Sequence, residues 1–382
     1  MIIQSKRVFI SGQFVPAQIH VDKDKIIKIS PHGALIPDAD YDSKLIVPGF
    51  IDIHTHGMSG YSADEPSQEG LINWLKALPS EGVTAFLPTT TTQSRETTIE
   101  SLKNISIVRK QRHTGAEIIG VHLEGPFLDN NYRGMHKKEH LRVPSVEEFM
   151  EYQKISDNLI KYITIACEHD DDYSLIRYAS RNGATVSIGH SGAGFENAIL
   201  ALANGASSFT HSFNAMRALH HREPGVVGAL MNTNAYAEVI ADGYHVHPGV
   251  VKILFNAKGN RNIILVTDSI GVKGLPEGIY DISNVKVWLD KHGTARIFGT
   301  DTIAGSSLKM NEGIRFLVGC ASVSVENAIL AATLNPAKAL GIENRKGQIK
   351  FGNDADLVIL NDDFSVIATY CMGVKVYCNN NC

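Results

Sequence analysis

The sequence predicts an α/β fold: a closed (β/α)8 TIM-type barrel with a small β-sandwich built from both chain termini. Three observations predict it. Between residues 48 and 344, eight β-type apolar runs alternate with mostly helix-period segments, the pattern of a parallel sheet. Eight units suit a closed barrel, and the first run leads into His-Thr-His-Gly. An open doubly wound sheet would carry a Gly-rich phosphate turn there. Finally, β-rich segments lie at 1–47 and 345–382, and one sandwich made from both is the economical arrangement.

The first 47 residues read as short strands, IIQSKRVFI, FVPAQIHV and KIIKIS, parted by Gly12, Pro16 and a charged turn at 22–25. Pro48-Gly49 marks the boundary. The barrel strands are expected at FIDIH (50–54), VTAFLPT (83–89), EIIGVHLE (117–124), YITIACE (162–168), ATVSIGH (184–190), SSFTHSF (207–213), AEVIAD (237–242) and NIILVTD (262–268). Helices are expected between them, at LINWLKALPSEG, ETTIESLKNISIVRKQ, SVEEFMEYQKI, YSLIRYASRNG, FENAILALANG and PGVVKILFNAKG, several closing on a capping Gly. A strand-rich insertion follows at 279–303, then helices at 307–319 and 324–340, and last a return to short strands.

Composition narrows the function. Of 382 residues, 43% are hydrophobic and 20% charged, which excludes disordered and fibrous classes. Lys plus Arg is 36 against 40 Asp plus Glu, a net charge of −4. No general attraction for nucleic acid or an anionic membrane follows. No apolar run reaches the ~18 residues of a membrane span, and Lys6 and Arg7 interrupt the opening stretch where a signal peptide would need an apolar core. Five Cys without CxxC spacing argue against a disulfide framework or a zinc finger. Cys371, Cys378 and Cys382 are expected as free thiols, and the whole fits a soluble cytoplasmic protein. Histidine stands out, with 16 copies, and it is the commonest metal ligand.

Barrel enzymes place their chemistry at the C-terminal ends of the strands. Those ends carry His54 and His56, Glu124, His190, His211 and Asp268. All are metal-ligand types. His54 and His56, two apart on a strand, point to one side. A lone HxH reads as a polar turn, but convergence from five strands reads as a transition-metal site. His122 is open between a core histidine and a group supporting the ligands. Asp268 could cap a helix, yet its place beside the proposed metal favours catalysis. A Zn2+-type ion lowers the pKa of bound water toward ~7 and polarises a carbonyl. A carboxylate such as Asp268 can take the proton and return it to a leaving group. The set describes metal-assisted hydrolysis of an amide or related bond. No serine nucleophile elbow is evident, and Cys167 and Cys320 sit in apolar settings that disfavour a Cys–His hydrolase.

The motifs VPGFIDIHTHG, HLEGPF, SIGHS, THSFNAM, REPG, ADGYH, VTDS and AGSSLKMNEGIR, in that order, resemble those of the N-acetylglucosamine-6-phosphate deacetylases of the amidohydrolase superfamily. The resemblance spans essentially the whole chain, including the tail NPAKALGI…KGQIKFGNDADLVIL. It implies that Glu124, His190 and His211 ligate a divalent metal, and that His54 and His56 hold a second ion bridged by Glu124. One or two ions per subunit are therefore expected, zinc first, with iron, manganese or cobalt as the others. It makes Asp268 the general base and acid, with a metal-activated hydroxide as nucleophile and His136 assisting at the oxyanion. The sugar phosphate is expected near Asn214, Ala215 and Arg222. RGMH supplies Met135 and His136, ADGYH supplies Asp242, Gly243, Tyr244 and His245, and the loop Ile303, Ala304, Gly305, Ser306 closes on the sugar and its acetyl group. The remaining loop histidines read as ordinary. Part of the phosphate pocket can come from a neighbouring subunit, which implies a homodimer. The runner-up is an amidohydrolase acting on another acylated amino sugar or a cyclic amide. Cyclic-amide enzymes often carry a bridging Lys at strand four, where this chain reads ITIACEH. A non-catalytic relative would be expected to have lost ligands, and none is missing.

Overall fold

The computed structural model describes residues 1–111, 113–283 and 285–379. The chain opens with an antiparallel meander of β1 (Ile2–Ile10), β2 (Gln13–Asp22) and β3 (Lys25–Pro31). Then β4 (Leu45–Pro48) runs parallel to β1. The barrel follows at once: β5 (Phe50–Thr55), β6 (Val83–Thr90), β7 (Val121–Glu124), β8 (Ile160–Ile165), β9 (Thr185–Ile188), β10 (Ala206–Phe209), β11 (Tyr236–Ile240) and β12 (Ile263–Val266). Each pairs in parallel with the next. β12 closes on β5 at its upper end, where Thr55 bridges Ser269 and the Asp268 amide donates to the His54 carbonyl at 2.8 Å.

Helices α1 (Gln68–Ala77), α2 (Arg95–Lys110), α3 (Val146–Ile155), α4 (Ser174–Arg181), α5 (Phe195–Ala203), α6 (Gly225–Asn232) and α7 (Pro248–Lys258) fill the connections. Ser67, Ser94 and Ser145 cap the first three through hydroxyls that accept N–H bonds of the first turn. After β12 comes a three-stranded antiparallel insertion, β13 (Gly278–Ile282), β14 (Val285–Leu289) and β15 (Ala295–Ile297). It has its own small core of Val272, Ile282, Val287 and Leu289, against which Met135 packs. Then follow α8 (Met310–Gly319), α9 (Val325–Ala332) and α10 (Leu334–Ala339). The single helix expected at 324–340 is thus two. The break at Thr333 suits Pro336, whose missing N–H and ring would conflict with the Ala332 carbonyl in a continuous helix.

The closing strands β16 (Leu357–Leu360), β17 (Val366–Cys371) and β18 (Val374–Cys378) complete the terminal sheet, in the order β18-β17-β16-β4-β1-β2-β3. Alternation divides its apolar residues between two cores. Ile46, Leu357, Ile359 and Ala368 join Ile3 and Ile19 inside the sheet's own fold. Val47, Val358 and Leu360 face the barrel helices. An ion cluster pins the two bodies: Lys346 Nζ lies 2.6 Å from Asp356, 2.9 Å from Asp354 and 2.8 Å from Glu117.

Several expected strands are too long. ATVSIGH, SSFTHSF and NIILVTD lose sheet pairing after Ile188, Phe209 and Val266, and YITIACE turns into a short 3-10 segment at Cys167–His169. The residues beyond turn into the left-handed region, His190 with φ 48°, His211 with φ 29° and Asp268 with φ 48°. The expectation of three C-terminal free thiols also changes. Cys371 is free and buried, but Cys378 is disulfide-bonded, and Cys382 lies outside the described residues. An odd count of five leaves at least one thiol free but does not forbid a pair. Cys320 is exposed at the end of α8, not apolar in setting. Among the described residues no helix is long and apolar enough to cross a membrane.

Candidate metal centre and active site

Strand β5 ends at His54-Thr55 and leads into His56, and the two buried histidines bring their Nε2 atoms to 3.2 Å from one another. Glu124 ends β7 at the centre of the group. Its Oε1 lies 3.1 Å from His211 Nε2, 3.3 Å from His190 Nε2 and 3.4 Å from His54 Nε2. Its Oε2 lies 3.1 Å from His56 Nε2 and 3.4 Å from His136 Nε2. Asp268 Oδ1 stands 3.2 Å from His56 Nε2 and 3.5 Å from His54 Nε2. Donor atoms 3.0–3.5 Å apart match the roughly 3.3 Å spacing of neighbouring ligands about a tetrahedral ion with bonds of ~2.0–2.1 Å. Glu124, His190 and His211 form one such group, and His54, His56, Glu124 and Asp268 a second that shares Glu124. The donor set therefore fits one divalent cation or two.

The far ring nitrogens sort these histidines by role. His56 Nδ1 meets the Thr89 carbonyl at 3.0 Å and His190 Nδ1 the Tyr132 carbonyl at 2.8 Å. A carbonyl only accepts, so each Nδ1 carries a proton and each Nε2 is the nitrogen left to hold an ion. His136 is the reverse. The Thr92 N–H donates to its Nδ1 at 3.1 Å, so its Nε2 carries the proton. It is built as a donor, not a ligand.

Burial opposes charge throughout the group, and the neighbours decide each outcome. His54 is raised despite burial, by Glu124, Asp268 and Glu238. His56 is pushed up to about 9 against burial by its bonds to Asp268 and Glu124. Burial wins at His190, which falls to about 4. Glu124 and Asp268 are held well below the usual carboxylate range in spite of burial, with His54 the largest favourable neighbour of each. Both carboxylates are thus ionised at neutral pH, as ligands and a proton acceptor need to be.

A cavity of about 350 Å3 opens above this cluster. Of the expected substrate contacts, Met135, His136, Asn214, Ala215, His245, Ile303 and Gly305 line it, together with Glu124, His190, His211, His56 and Asp268. The others lie elsewhere. Asp242 spends both oxygens within its own loop, accepting from the Tyr244 and His245 amides and from His245 Nδ1 at 2.6 Å. It orients His245 and does not face the cavity. Tyr244 is half-exposed beside a neighbouring groove of about 430 Å3, and Gly243 packs against Phe316. Ala304 is fully buried, and the Ser306 hydroxyl is bonded to the Thr267 carbonyl. Arg222 is exposed on the loop after β10, 2.7 Å from His221. His122 is a barrel-interior group, with Nδ1 at the Ile53 carbonyl and Nε2 at Thr164 Oγ1. Thr164 Oγ1 meets Thr210 Oγ1 at 2.8 Å, which reaches Ser187 at 2.7 Å, so the barrel beneath the site is hydrogen-bonded where aliphatic packing is usual.

Sequence reading missed Thr91, Asn131, Tyr132, Ile270 and Thr302 on the cavity wall and Glu238 beneath it. The wall residues carry no signal, since none is a metal-ligand type. Glu238 had one: a carboxylate in the middle of the apolar run AEVIA.

Comparison with known proteins resolves the family. The model of the amidohydrolase family matches residues 45–376. The chain belongs to the amidohydrolase family. An N-acetylglucosamine-6-phosphate deacetylase of Bacillus subtilis (strain 168) is 41% identical over 337 residues, covering 86% of this chain and 84% of that one. Among solved structures, a Mycobacterium smegmatis N-acetyl-D-glucosamine-6-phosphate deacetylase mutant, in complex with N-acetyl-D-glucosamine-6-phosphate, superposes with a TM-score of 0.93 at 28% identity. It covers 98% of this chain and 99% of that one. The deacetylase of Thermotoga maritima gives 0.89 at 29% identity, covering 99% and 100%. Membership in the amidohydrolases implies a divalent metal, and the His-His-Glu cluster is the group that suits it.

Proposed function

We propose that this amidohydrolase hydrolyses N-acetyl-D-glucosamine 6-phosphate to D-glucosamine 6-phosphate and acetate. The observation that carries the reading is Asp268, an ionised carboxylate 3.2 Å from His56 at the floor of the cavity, in a chain 41% identical to a named deacetylase. Zinc is the proposed ion, with iron, manganese or cobalt as alternatives, held by Glu124, His190 and His211 and, for a second ion, by His54 and His56. Such an ion acidifies a water and polarises the acetamide carbonyl. Asp268 takes a proton from the attacking water and delivers it to the amide nitrogen as the C–N bond breaks. The His136 Nε2–H donates to the oxygen on which negative charge develops. His245, oriented by Asp242, and the Asn214–Ala215 turn bind the sugar phosphate. Arg222 supports a homodimer: exposed and away from its own cavity, it would reach the phosphate of a neighbouring subunit, where its planar fork suits phosphate oxygens.

The test is acetate release from N-acetylglucosamine 6-phosphate beside the unphosphorylated sugar, with metal content measured on the same sample. Turnover of the phosphorylated sugar is expected to vanish on chelation and return with a divalent ion. Metal-loaded protein that turns over neither sugar would overturn the reading.

A further inference from the structure

Glu238 sits in mid-β11, fully buried in the barrel interior. One oxygen does two things. Oε2 lies 2.9 Å from His54 Nδ1 and accepts the backbone N–H of His211 at 3.0 Å. It thus touches one residue from each of the two donor groups that share Glu124. Its Oε1 makes no hydrogen bond of good geometry, and the Tyr162 hydroxyl beside it donates to Ser208. Burying a carboxylate costs free energy, and the groups that this one meets belong to the two donor sets.

We propose that Glu238 is the positioning residue of the metal centre, setting the His54 tautomer and holding the His211 turn. The Glu238 oxygen fixes a proton on His54 Nδ1, so Nε2, 3.4 and 3.5 Å from Glu124 and Asp268, is the nitrogen that a cation would take in place of a proton. His56 and His190 take the same tautomer from backbone carbonyls. Of the three, only His54 meets a side-chain carboxyl there, where His56 and His190 meet backbone carbonyls. The same oxygen anchors the left-handed turn at His211, φ 29°. Glu238 therefore couples the two cation positions from beneath. The inference builds on the deacetylase reading only for what the ions do, since it concerns how they are held.

The test measures metal binding without substrate, so its failure is distinct from a failure of the deacetylase reading. Metal-free wild type and Glu238→Ala are titrated with Zn2+ against a chromophoric chelator, and bound ions are counted after equilibrium dialysis. Glu238→Ala is expected to weaken binding by ~10–100-fold, the usual effect of removing a group behind a ligating histidine. In a His54→Asn background the same substitution should change the affinity much less. Unchanged affinity and stoichiometry in folded Glu238→Ala, or an equal loss in both backgrounds, would overturn the proposal. Should Glu238→Ala fail to fold, Glu238→Leu fills the space and is read in the same way. The wild type offers a check without any variant: the imidazole NMR spectrum of metal-free protein should show an exchange-protected Nδ1 proton on His54, and its absence overturns the tautomer assignment.

Discussion

Asp268 and His136 face the same cavity with opposite equipment, one an ionised acceptor and the other a fixed N–H donor. Asp268→Asn should therefore keep the fold and metal content while kcat falls by ~10²–10⁴-fold, the range for a lost general base. Near-normal acetate release with full metal content would refute that role. His136→Ala should lower kcat by about 10²–10³-fold with little change in metal stoichiometry. A loss of bound metal in that variant would make His136 a ligand instead. His54, His56, Glu124, His190, His211 and Asp268 were legible in the sequence because a barrel brings its strand ends together and ligand types at those ends stand out. The donor character of His136 was not legible. It comes from the Thr92 amide, 44 positions away in the chain, and no local pattern encodes that contact.

At the scale of elements, the strands reach the site by breaking off early. His190, His211 and Asp268 all take positive φ within two residues of their strand ends, a conformation that costs about 1–3 kcal/mol for a residue other than Gly. Periodicity cannot show this, because the apolar pattern continues up to the turn; hence the expected strands overran. The loop opposite uses Gly305 at φ +76°, where an added Cβ would lie 2.7 Å from the Ile270 side chain and 3.1 Å from the Asp268 carbonyl. Gly305→Ala should lower stability in urea unfolding by ~1–3 kcal/mol and raise KM, because Ile270 and the Asp268 turn must shift. A variant with unchanged midpoint and KM would show that the loop is not tightly set.

The whole molecule depends on the junction between barrel and terminal sheet. Burial disfavours charge at Glu117 and Asp354, but Lys346, with Arg345 beside both and Lys25 beside Asp354, outweighs it and holds both below their usual values. Their stabilising effect is present above the unfolded-state carboxylate pKa of about 4 and is lost as pH falls through the folded values. Asp356, raised by burial despite Lys346, acts in the opposite sense, and two groups against one make the junction sensitive to acid. Unfolding midpoints should fall below about pH 4. Lys346→Met leaves Asp356 without a cation, while Arg345 still pairs with Glu117 and Asp354 and Lys25 with Asp354; it should cost roughly 1–3 kcal/mol at neutral pH, and that loss should shrink in acid. Equal losses at both pH values would remove the electrostatic account. The shared sheet of the two termini was visible as β-rich ends flanking a βα repeat. The ion cluster was not, since Glu117 and Lys346 are separated by most of the barrel.

One joint in the cylinder differs from the rest. Seven strand neighbours are zipped by ladders, whereas β12 meets β5 through the Thr55–Ser269 bridge and a few bonds at the rim. The residues flanking that seam are His54, His56 and Asp268. A cation bound there would act as a staple across the weakest line of the barrel. In hydrogen exchange, the amides of His56 and Asp268 should open first in chelated protein and gain the most protection on metal loading.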